Sequence, residues 1–347
     1  MFARLREANL LSTKTENVII HWKVFDDLIV LILIVRDLDI NTRVIDHCLD
    51  YIYSCLVVYS GRDRLITAGS KGAEHVKACI ATSHDLIDYF LRLLITPSFH
   101  PNLLLSAVNT LVVEHETKEF IDSLTESYCS VTESDLTCLI VNGFLASASK
   151  GWWSRFASSS DSFLVVNLVN ALASTMHGST RQLSIFLPDN CPNEETRLVI
   201  SQVYQNIFLV VLCGPEPSLE SILESVTPLS YSQMHQLSFK AIQSMQSLPI
   251  DDKITSFLLI NKPRKTLLKY GSLDHFKMSE IIAATVMTEE EQEYIKFKDR
   301  TAFRVESNDF VLIIFVSNDH DLRSINIIAN QTLKQFSEKK KLKSLVN

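Results

Sequence analysis

Apolar residues near the start of the chain follow the spacing of β-strands. Residues 18–25 alternate between apolar and mostly polar positions, and Asp26-Asp27 marks a turn. Residues 28–35 then run continuously apolar, which is typical of a strand buried on both faces. We also expect a strand over residues 5–12, so this segment predicts a meander of three strands.

Helical spacing follows these strands. Apolar residues three and four positions apart predict helices over residues 42–60 and 71–94, and a shorter one over residues 103–113. Asn41 and Thr42 are the candidate caps of the first helix, and Ser60-Gly61 ends it.

The rest of the chain predicts one order of elements twice: hairpin, helix, strands, helix. In the second portion, after a polar connector over 118–128, these elements cover residues 136–149, 160–175, 183–187, 197–204, 206–213 and 218–245. The first of these hairpins turns at Asn142-Gly143, which favours a type I′ turn. In the third portion they cover residues 254–270, 279–294, 301–306, 310–316 and 321–340.

This order predicts an α+β protein of three small domains, each an antiparallel sheet with helices on its faces. We place the domains at residues 1–114, 115–247 (including the connector helix) and 248–347. A length of 347 residues allows two domains or three small ones, and the element order favours three.

Composition excludes several classes of protein. With 46% hydrophobic and 21% charged residues the chain resembles folded rather than disordered proteins, and its net charge of −7 argues against a nucleic-acid partner. The longest apolar runs, residues 28–35 and 207–213, are far shorter than the about 20 residues of a membrane-spanning helix. Residues 1–11 lack the apolar core of a signal peptide, so we expect a cytoplasmic protein.

No pattern of a chemical active site emerges. The segment 69–72 lacks the longer glycine-rich loop that cradles phosphates, and Glu114-His115-Glu116 lacks the helical spacing of metal ligands. Cys48 and Cys55 lie on the apolar stripe of one helix, where core packing is favoured over metal or redox chemistry. We therefore predict no catalytic residue, no metal and no cofactor.

Adjacent tryptophans, Trp152 and Trp153, follow Gly151. The favoured interpretation is that one fills the core and the other covers a helix or a neighbouring domain. The alternative is an aromatic anchor for a partner. In the same way, the segment 16–25 is either a covered or charged sheet edge, or an edge that pairs with another chain.

A group of lysines stands at the end of the chain: Lys339, Lys340, Lys341 and Lys343. The favoured interpretation is a solvated helix end that complements the helix dipole. The alternative is contact with anionic lipid at a membrane surface.

Four landmarks resemble the Fuzzy planar cell polarity proteins, over residues 9 to about 220. They are Thr15-Glu16-Asn17-Val18 with Trp22-Lys23-x-Phe25, the apolar strand 28–35, Gly151-Trp152-Trp153, and Leu212-Cys213-Gly214-Pro215-x-Pro217-x-Leu219. The resemblance implies three longin-type domains, with the last third matching by element order more than by motif.

The resemblance also implies a function. Such a protein is expected to pair with Inturned in the ciliogenesis and planar polarity effector complex, together with its other subunits. The pair would act as an exchange factor or binding platform for a Rab-like small GTPase. It would serve ciliogenesis, intraflagellar transport and Hedgehog signalling at the cytoskeleton and the base of the cilium. Nucleotide exchange needs differential affinity rather than a reactive side chain, which agrees with the absence of catalytic motifs. The alternative is a structural trafficking adaptor without exchange activity.

Longin geometry would place five residues on the strands nearest the dimer seam: Leu5, Asn9, Glu16, Trp22 and Lys23. A longin domain begins with two strands and a helix, whereas this chain starts near the end of that helix. We therefore expect the first domain to lack its opening hairpin and most of its first helix.

Overall fold

The computed structural model describes residues 12–36, 40–111, 113, 115–157, 159–226, 234–235, 237, 250–271, 292–298 and 300–338. The chain forms two compact units. The first holds the described residues up to Leu105 together with Ile185–Glu195. The second holds the described residues of Ser106–Ser184 and those from Thr196 onward. Both units contain helices and antiparallel strands, so the predicted α+β class is confirmed.

The first unit contains a meander of three strands, in the order β1-β2-β3. Two of them match the strands predicted within residues 18–35, whereas the first begins at Ser12, where the predicted strand over residues 5–12 ends, and residues 5–11 lie outside the described residues. Its strands are β1 (Ser12–Lys14), β2 (Ile19–Phe25) and β3 (Ile29–Val35), and its helices are α1 (Thr42–Ser60), α2 (Arg62–Lys71), α3 (Ala73–Leu94) and α4 (His100–Leu105). Asn41 caps α1 by accepting a hydrogen bond from the Arg43 amide at 2.9 Å. Gly72, at φ 107°, separates α2 from α3, because this backbone conformation favours glycine and breaks a continuous helix. The sequence prediction missed α2.

The second sheet has the order β6-β5-β9-β8-β7. Its strands are β5 (Leu136–Val141), β6 (Phe144–Ala148), β7 (Thr180–Leu187), β8 (Cys191–Tyr204) and β9 (Ile207–Cys213), and the helices of this portion are α5 (His115–Val131), α6 (Lys150–Phe156), α7 (Asp161–Leu172) and α8 (Leu219–Val226). The hairpin predicted from Asn142-Gly143 is confirmed, with φ of 51° and 83° at these residues. Of the helix predicted over residues 218–245, the structure describes α8 and little beyond it.

The third sheet has the order β12-β13-β14-β10-β11-β4. Its strands are β4 (Val108–Asn109), β10 (Ile254–Asn261), β11 (Thr266–Tyr270), β12 (Gln292–Lys296), β13 (Arg300–Glu306) and β14 (Phe310–Ser317), and α9 (Leu322–Glu338) packs on it. The prediction of helix up to residue 294 was wrong at its end, because β12 pairs with β13. Residues 279–291 lie outside the described residues.

A short extended segment joins the second and third sheets within the second unit. Val108 donates to the Lys265 carbonyl at 2.9 Å, while the Leu111 amide donates to the Leu145 carbonyl of β6 at 3.1 Å. The prediction of helix over residues 103–113 was therefore wrong beyond α4. Ser106, at φ 50°, ends α4, and the backbone groups that follow are satisfied by two sheet edges instead of a helical ladder.

Among the described residues, each of the three predicted segments thus contributes the strands of one sheet, while β4 lies in the first segment and pairs in the third sheet. The predicted domain boundaries at 114/115 and 247/248 remain predictions. Within the described ranges, no helix has the length and apolarity that crossing a bilayer requires.

Candidate functional site

One face of the first sheet consists of apolar side chains from β2 and β3. Their register places Ile20 opposite Ile34 and Trp22 opposite Ile32. Because alternate residues of a strand point to the same side, these two pairs share one face with a third pair, Val24 and Val30. We call this surface the outer face; it comprises Ile20, Trp22, Val24, Val30, Ile32 and Ile34.

The outer face is open over much of its area. Ile32 is 51% exposed and Ile34 is 62% exposed, and Leu28, in the adjoining turn, is 48% exposed. The prediction that residues 28–35 form a strand buried on both faces was therefore wrong for this side. An aromatic residue surrounded by exposed aliphatic side chains is the composition of a protein-binding surface.

The opposite, inner face of the sheet packs on α1 and α2. Ile29 is buried against a core that includes Leu56 of α1 and Leu65 of α2, and the Phe25 ring stacks on Tyr53 with centroids 4.3 Å apart. Burial of the inner face holds β2 and β3 against the helices. The core beneath these strands therefore fixes the position of the outer face.

Polar side chains also tie β2 to α1. His21 Nε2 lies 3.2 Å from Asp46 Oδ1, and Lys23 Nζ donates to Asp46 Oδ2 at 2.9 Å and to Asp50 Oδ2 at 2.8 Å. The hydrogen bond with His21, with the help of Lys23, outweighs burial and lowers the pKa of Asp46 to about 2. Burial lowers the pKa of Lys23, but its bonds with Asp50 and Asp46 outweigh this effect and the pKa is raised.

The turn between β2 and β3 is fastened in a similar way. Asp26 and Asp27 adopt φ of 48° and 59°, which confirms the predicted turn. The Asp26 carboxylate accepts hydrogen bonds from Arg62 and from the Tyr53 hydroxyl. The bond from Arg62, with the smaller help of Tyr53, outweighs burial and lowers the pKa of Asp26.

The partner-binding residues that the sequence suggested on the first strands do not all lie on one face of the sheet. Trp22 lies half-buried on the outer face, Lys23 lies on the inner face against α1, and Glu16 is exposed in the connection before β2. Leu5 and Asn9 lie outside the described residues.

The two tryptophans of α6 belong to the second unit. Trp152 is fully buried, and its Nε1 donates to the Ser162 hydroxyl at 3.1 Å. The Arg264 guanidinium lies over the Trp153 ring, 4.7 Å from its centroid, so the turn between β10 and β11 covers this side chain. The predicted membrane contacts, Lys339, Lys340, Lys341 and Lys343, lie outside the described residues.

Sequence reasoning missed Ile32, Ile34 and the two carboxylates of α1. Asp46 and Asp50 are one helical turn apart, and His21 and Lys23 alternate on a strand, which are patterns that sequence alone displays. Nothing in the sequence states that the strand and the helix pack together.

Two observations on the described residues concern metal and cysteine chemistry. In this part of the chain, no group of three His, Cys, Asp or Glu side chains is arranged to hold a metal ion. Burial raises the pKa of Cys48 to about 12 and raises that of Cys55 as well, so both thiols stay protonated at neutral pH. These two cysteines lie in the buried stripe of α1.

Comparison with known proteins adds independent information. Residues 134–227 match the model of the second longin domain of FUZ, MON1 and HPS1, a region that holds the second sheet and α6–α8. The match to a longin-domain family agrees with the α+β architecture of the structure.

Curated relatives that match this chain carry the name Protein fuzzy homolog. The one from Xenopus tropicalis is 28% identical over 271 residues, covering 76% of this chain and 61% of that protein. The one from Homo sapiens is 25% identical over 222 residues, covering 64% and 50%. The one from Mus musculus is 25% identical over 221 residues, covering 63% and 50%.

The matched part of this chain thus spans between one half and about three fifths of the length of these relatives. The landmarks of the sequence, the longin-domain match and the similarity to fuzzy homologues all agree. The chain is similar to the Fuzzy proteins, and its residues 134–227 match the model of a longin domain.

Proposed function

We propose that this chain is a non-catalytic subunit that pairs with Inturned and binds a Rab-like small GTPase, in support of ciliogenesis. The observation that carries the proposal is the outer face of the first sheet. There, Trp22 and Ile32 face each other beside half-exposed isoleucines. Tryptophan is the residue most enriched among the hot spots of protein interfaces, and the aliphatic side chains around it exclude water when a partner covers them.

The support beneath this face favours a binding role. The inner-face contacts with α1 and the fastened turn at Asp26 hold the strands in one position. A surface that is ordered before binding loses little conformational entropy when a partner covers it.

Exchange would follow from differential affinity. A pair that binds the nucleotide-free GTPase more tightly than the loaded one shifts the GTPase toward the empty state, and this step needs no nucleophile or general base. The predicted planar polarity subunits and the location at the base of the cilium belong to this same proposal.

The test is co-purification of the full chain with Inturned, using Ile32→Asp and the matched control Ile327→Asp. Ile327 of α9 is 50% exposed, close to the 51% of Ile32, so both changes place a charge on a similarly open isoleucine. We expect Ile32→Asp to weaken pairing by more than about 2 kcal/mol, roughly thirtyfold, while the control binds as the parent chain does. Normal affinity of Ile32→Asp for Inturned would reject the outer face as the pairing surface.

Release of a fluorescent nucleotide from the GTPase separates the two functions of the pair. Acceleration by the complex supports an exchange factor. Binding to the GTPase without acceleration selects the alternative, a structural trafficking adaptor.

A further inference from the structure

The tip of the β7–β8 hairpin is part of the first unit. That unit holds Ile185–Glu195, which comprise the end of β7, the connecting turn and the start of β8. Within this tip, Ile185 and Leu187 are buried and Phe186 is half-buried. A strand segment that is distant in sequence from the helices of the first unit therefore packs as one of its components.

Phe186 packs against the corner between α1 and α2. Gly61 separates these helices, and a Cβ built on it would lie 2.9 Å from Cε1 of the Phe186 ring. Gly61 also adopts φ 74°, a conformation that favours glycine. A side chain at this position would strain the backbone and displace the ring, so the corner and Phe186 are closely fitted to each other.

Asn193 supplies a cap for α2. This helix begins at Arg62, directly after Gly61, which has no side chain to accept a hydrogen bond from the first amides. Instead, the Asp63 amide donates to Asn193 Oδ1 at 3.0 Å, across 130 positions of sequence. Asparagine is well suited to this role, because its side-chain oxygen accepts from the amides of a helix start. Phe186 and Asn193 thus hold the two residues that flank Arg62.

Arg62 connects this corner to the turn between β2 and β3. Its Nε donates to Asp26 Oδ1 at 3.2 Å, and the Asp26 side chain is only 11% exposed. Tyr53 of α1 donates to the same carboxylate, so the turn is tied to both helices. A shift of the corner would move Arg62 and weaken its hydrogen bond to Asp26, because such bonds depend steeply on distance and angle.

This turn forms one end of the outer face. Val24 and Val30 are the pair of that face nearest the turn, and the exposed Leu28 lies in the turn itself. The position of Asp26 therefore influences how β2 and β3 are aligned where the outer face begins.

We propose that the tip of the β7–β8 hairpin is a positioning element for the outer face. Phe186 and Asn193 hold the corner between α1 and α2, the corner holds Arg62, and Arg62 holds the turn from which the outer face extends. Neither Phe186 nor Asn193 belongs to that face, yet both set how well it is ordered for a partner. The identity of that partner rests on the proposed function, whereas the ordering of β2 and β3 does not.

The experiment is hydrogen exchange of the full chain, measured by mass spectrometry on peptides from residues 19–35. Asn193→Ala removes the cap and Phe186→Ala removes the ring. We expect each variant to speed amide exchange in these residues by about fivefold or more, the usual effect of losing one helix cap. Asn193→Asp keeps an oxygen that accepts from the Asp63 amide, so it should exchange as the parent chain does.

Phe144→Ala is the matched control. Phe144 is a half-buried phenylalanine of β6 in the second unit, so this variant loses a comparable ring outside the hairpin tip. We expect it to leave the exchange of residues 19–35 unchanged.

A double variant tests the route through Arg62. Arg62→Gln removes the ion pair with Asp26, so the hairpin should have little left to transmit to the turn. We expect Asn193→Ala to speed exchange by less than about twofold when it is added to Arg62→Gln. The full effect of Asn193→Ala in that background would overturn the route.

Affinity for Inturned separates this inference from the proposed function. We expect the two hairpin variants to weaken pairing by about fivefold, in step with their faster exchange. Normal pairing of Ile32→Asp, together with faster exchange in the hairpin variants, would reject the outer face as the pairing surface and still support the positioning role.

Four results would overturn the positioning role. They are unchanged exchange of residues 19–35 in both hairpin variants, equal acceleration there by Phe144→Ala, failure of Asn193→Asp to retain the exchange of the parent chain, and normal pairing of the hairpin variants when Ile32→Asp pairs weakly. Because Asn193 is exposed, Asn193→Ala is expected to fold, and it decides the test even where Phe186→Ala does not fold.

Discussion

The buried hydrogen bond between Trp152 and Ser162 allows a quantitative test of packing in the longin domain. The Trp152 ring is wholly buried, meets Phe156 edge-on with centroids 4.8 Å apart, and donates from Nε1 to Ser162 Oγ at 3.1 Å. Ser162→Ala removes the acceptor and leaves a buried indole N–H without this partner. We expect it to lower the free energy of unfolding by about 1–3 kcal/mol, the usual penalty for an unsatisfied buried donor.

The second perturbation removes the donor itself. Trp152→Phe deletes the indole N–H, so Ser162→Ala has less to disrupt when it is added to this background. We expect Ser162→Ala to cost about 1 kcal/mol less in the Trp152→Phe protein than in the parent chain, which is the coupling energy of the pair. Trp152→Ala, which also leaves a large cavity, should cost about 3–5 kcal/mol.

The assay is urea unfolding of the full chain, followed by circular dichroism so that the loss of tryptophan fluorescence does not affect the signal. Because the chain has two compact units, each transition is fitted separately, and the comparison uses the transition that Trp152→Ala shifts most. An equal cost of Ser162→Ala in both backgrounds would show that the indole N–H does not stabilise the fold through Ser162.

Two further predictions concern single sites. A Cβ at Gly151 would lie 2.5 Å from the Asp135 carbonyl oxygen, so we expect Gly151→Ala to lower the free energy of unfolding by about 1–3 kcal/mol in thermal melting. Gly214→Ala should change stability little, because no neighbouring atom lies within 4 Å of a Cβ built there. Equal melting of the two variants would contradict this prediction. Because the pKa of Asp46 is lowered from 3.8 to about 2, its ion pairs stabilise the fold above about pH 4, and this stability is lost as the pH falls toward 2. Since this side chain is 34% exposed, we expect about 1 kcal/mol rather than the full value of the shift. Asp46→Asn should be less stable than the parent chain at neutral pH and lose that difference in acid, which urea unfolding across this pH range would measure; a constant difference would refute the role of the charge.

Local pattern predicted much of the fold. The Asn142-Gly143 hairpin, the turn at Asp26-Asp27 and the helix that ends at Gly61 follow from backbone preferences that act within a few residues. The prediction of helix failed at Val108, where pairing with the edges of two sheets decides the conformation. Such pairing depends on strands far away in the sequence, so no local pattern could reveal it.

The features of the candidate site likewise divide into those that the sequence indicated and those that depend on the tertiary structure. By itself, the sequence determined the strand pattern within residues 18–25 and 28–35 and the resemblance to Fuzzy proteins, and that resemblance made Trp22 a candidate for partner binding. Only the tertiary structure decided that Ile32 and Ile34 are exposed and that Lys23 faces α1. The physical reason is that the two-residue repeat of a strand determines which side chains share a face. Whether that face is exposed depends on which other element packs against it.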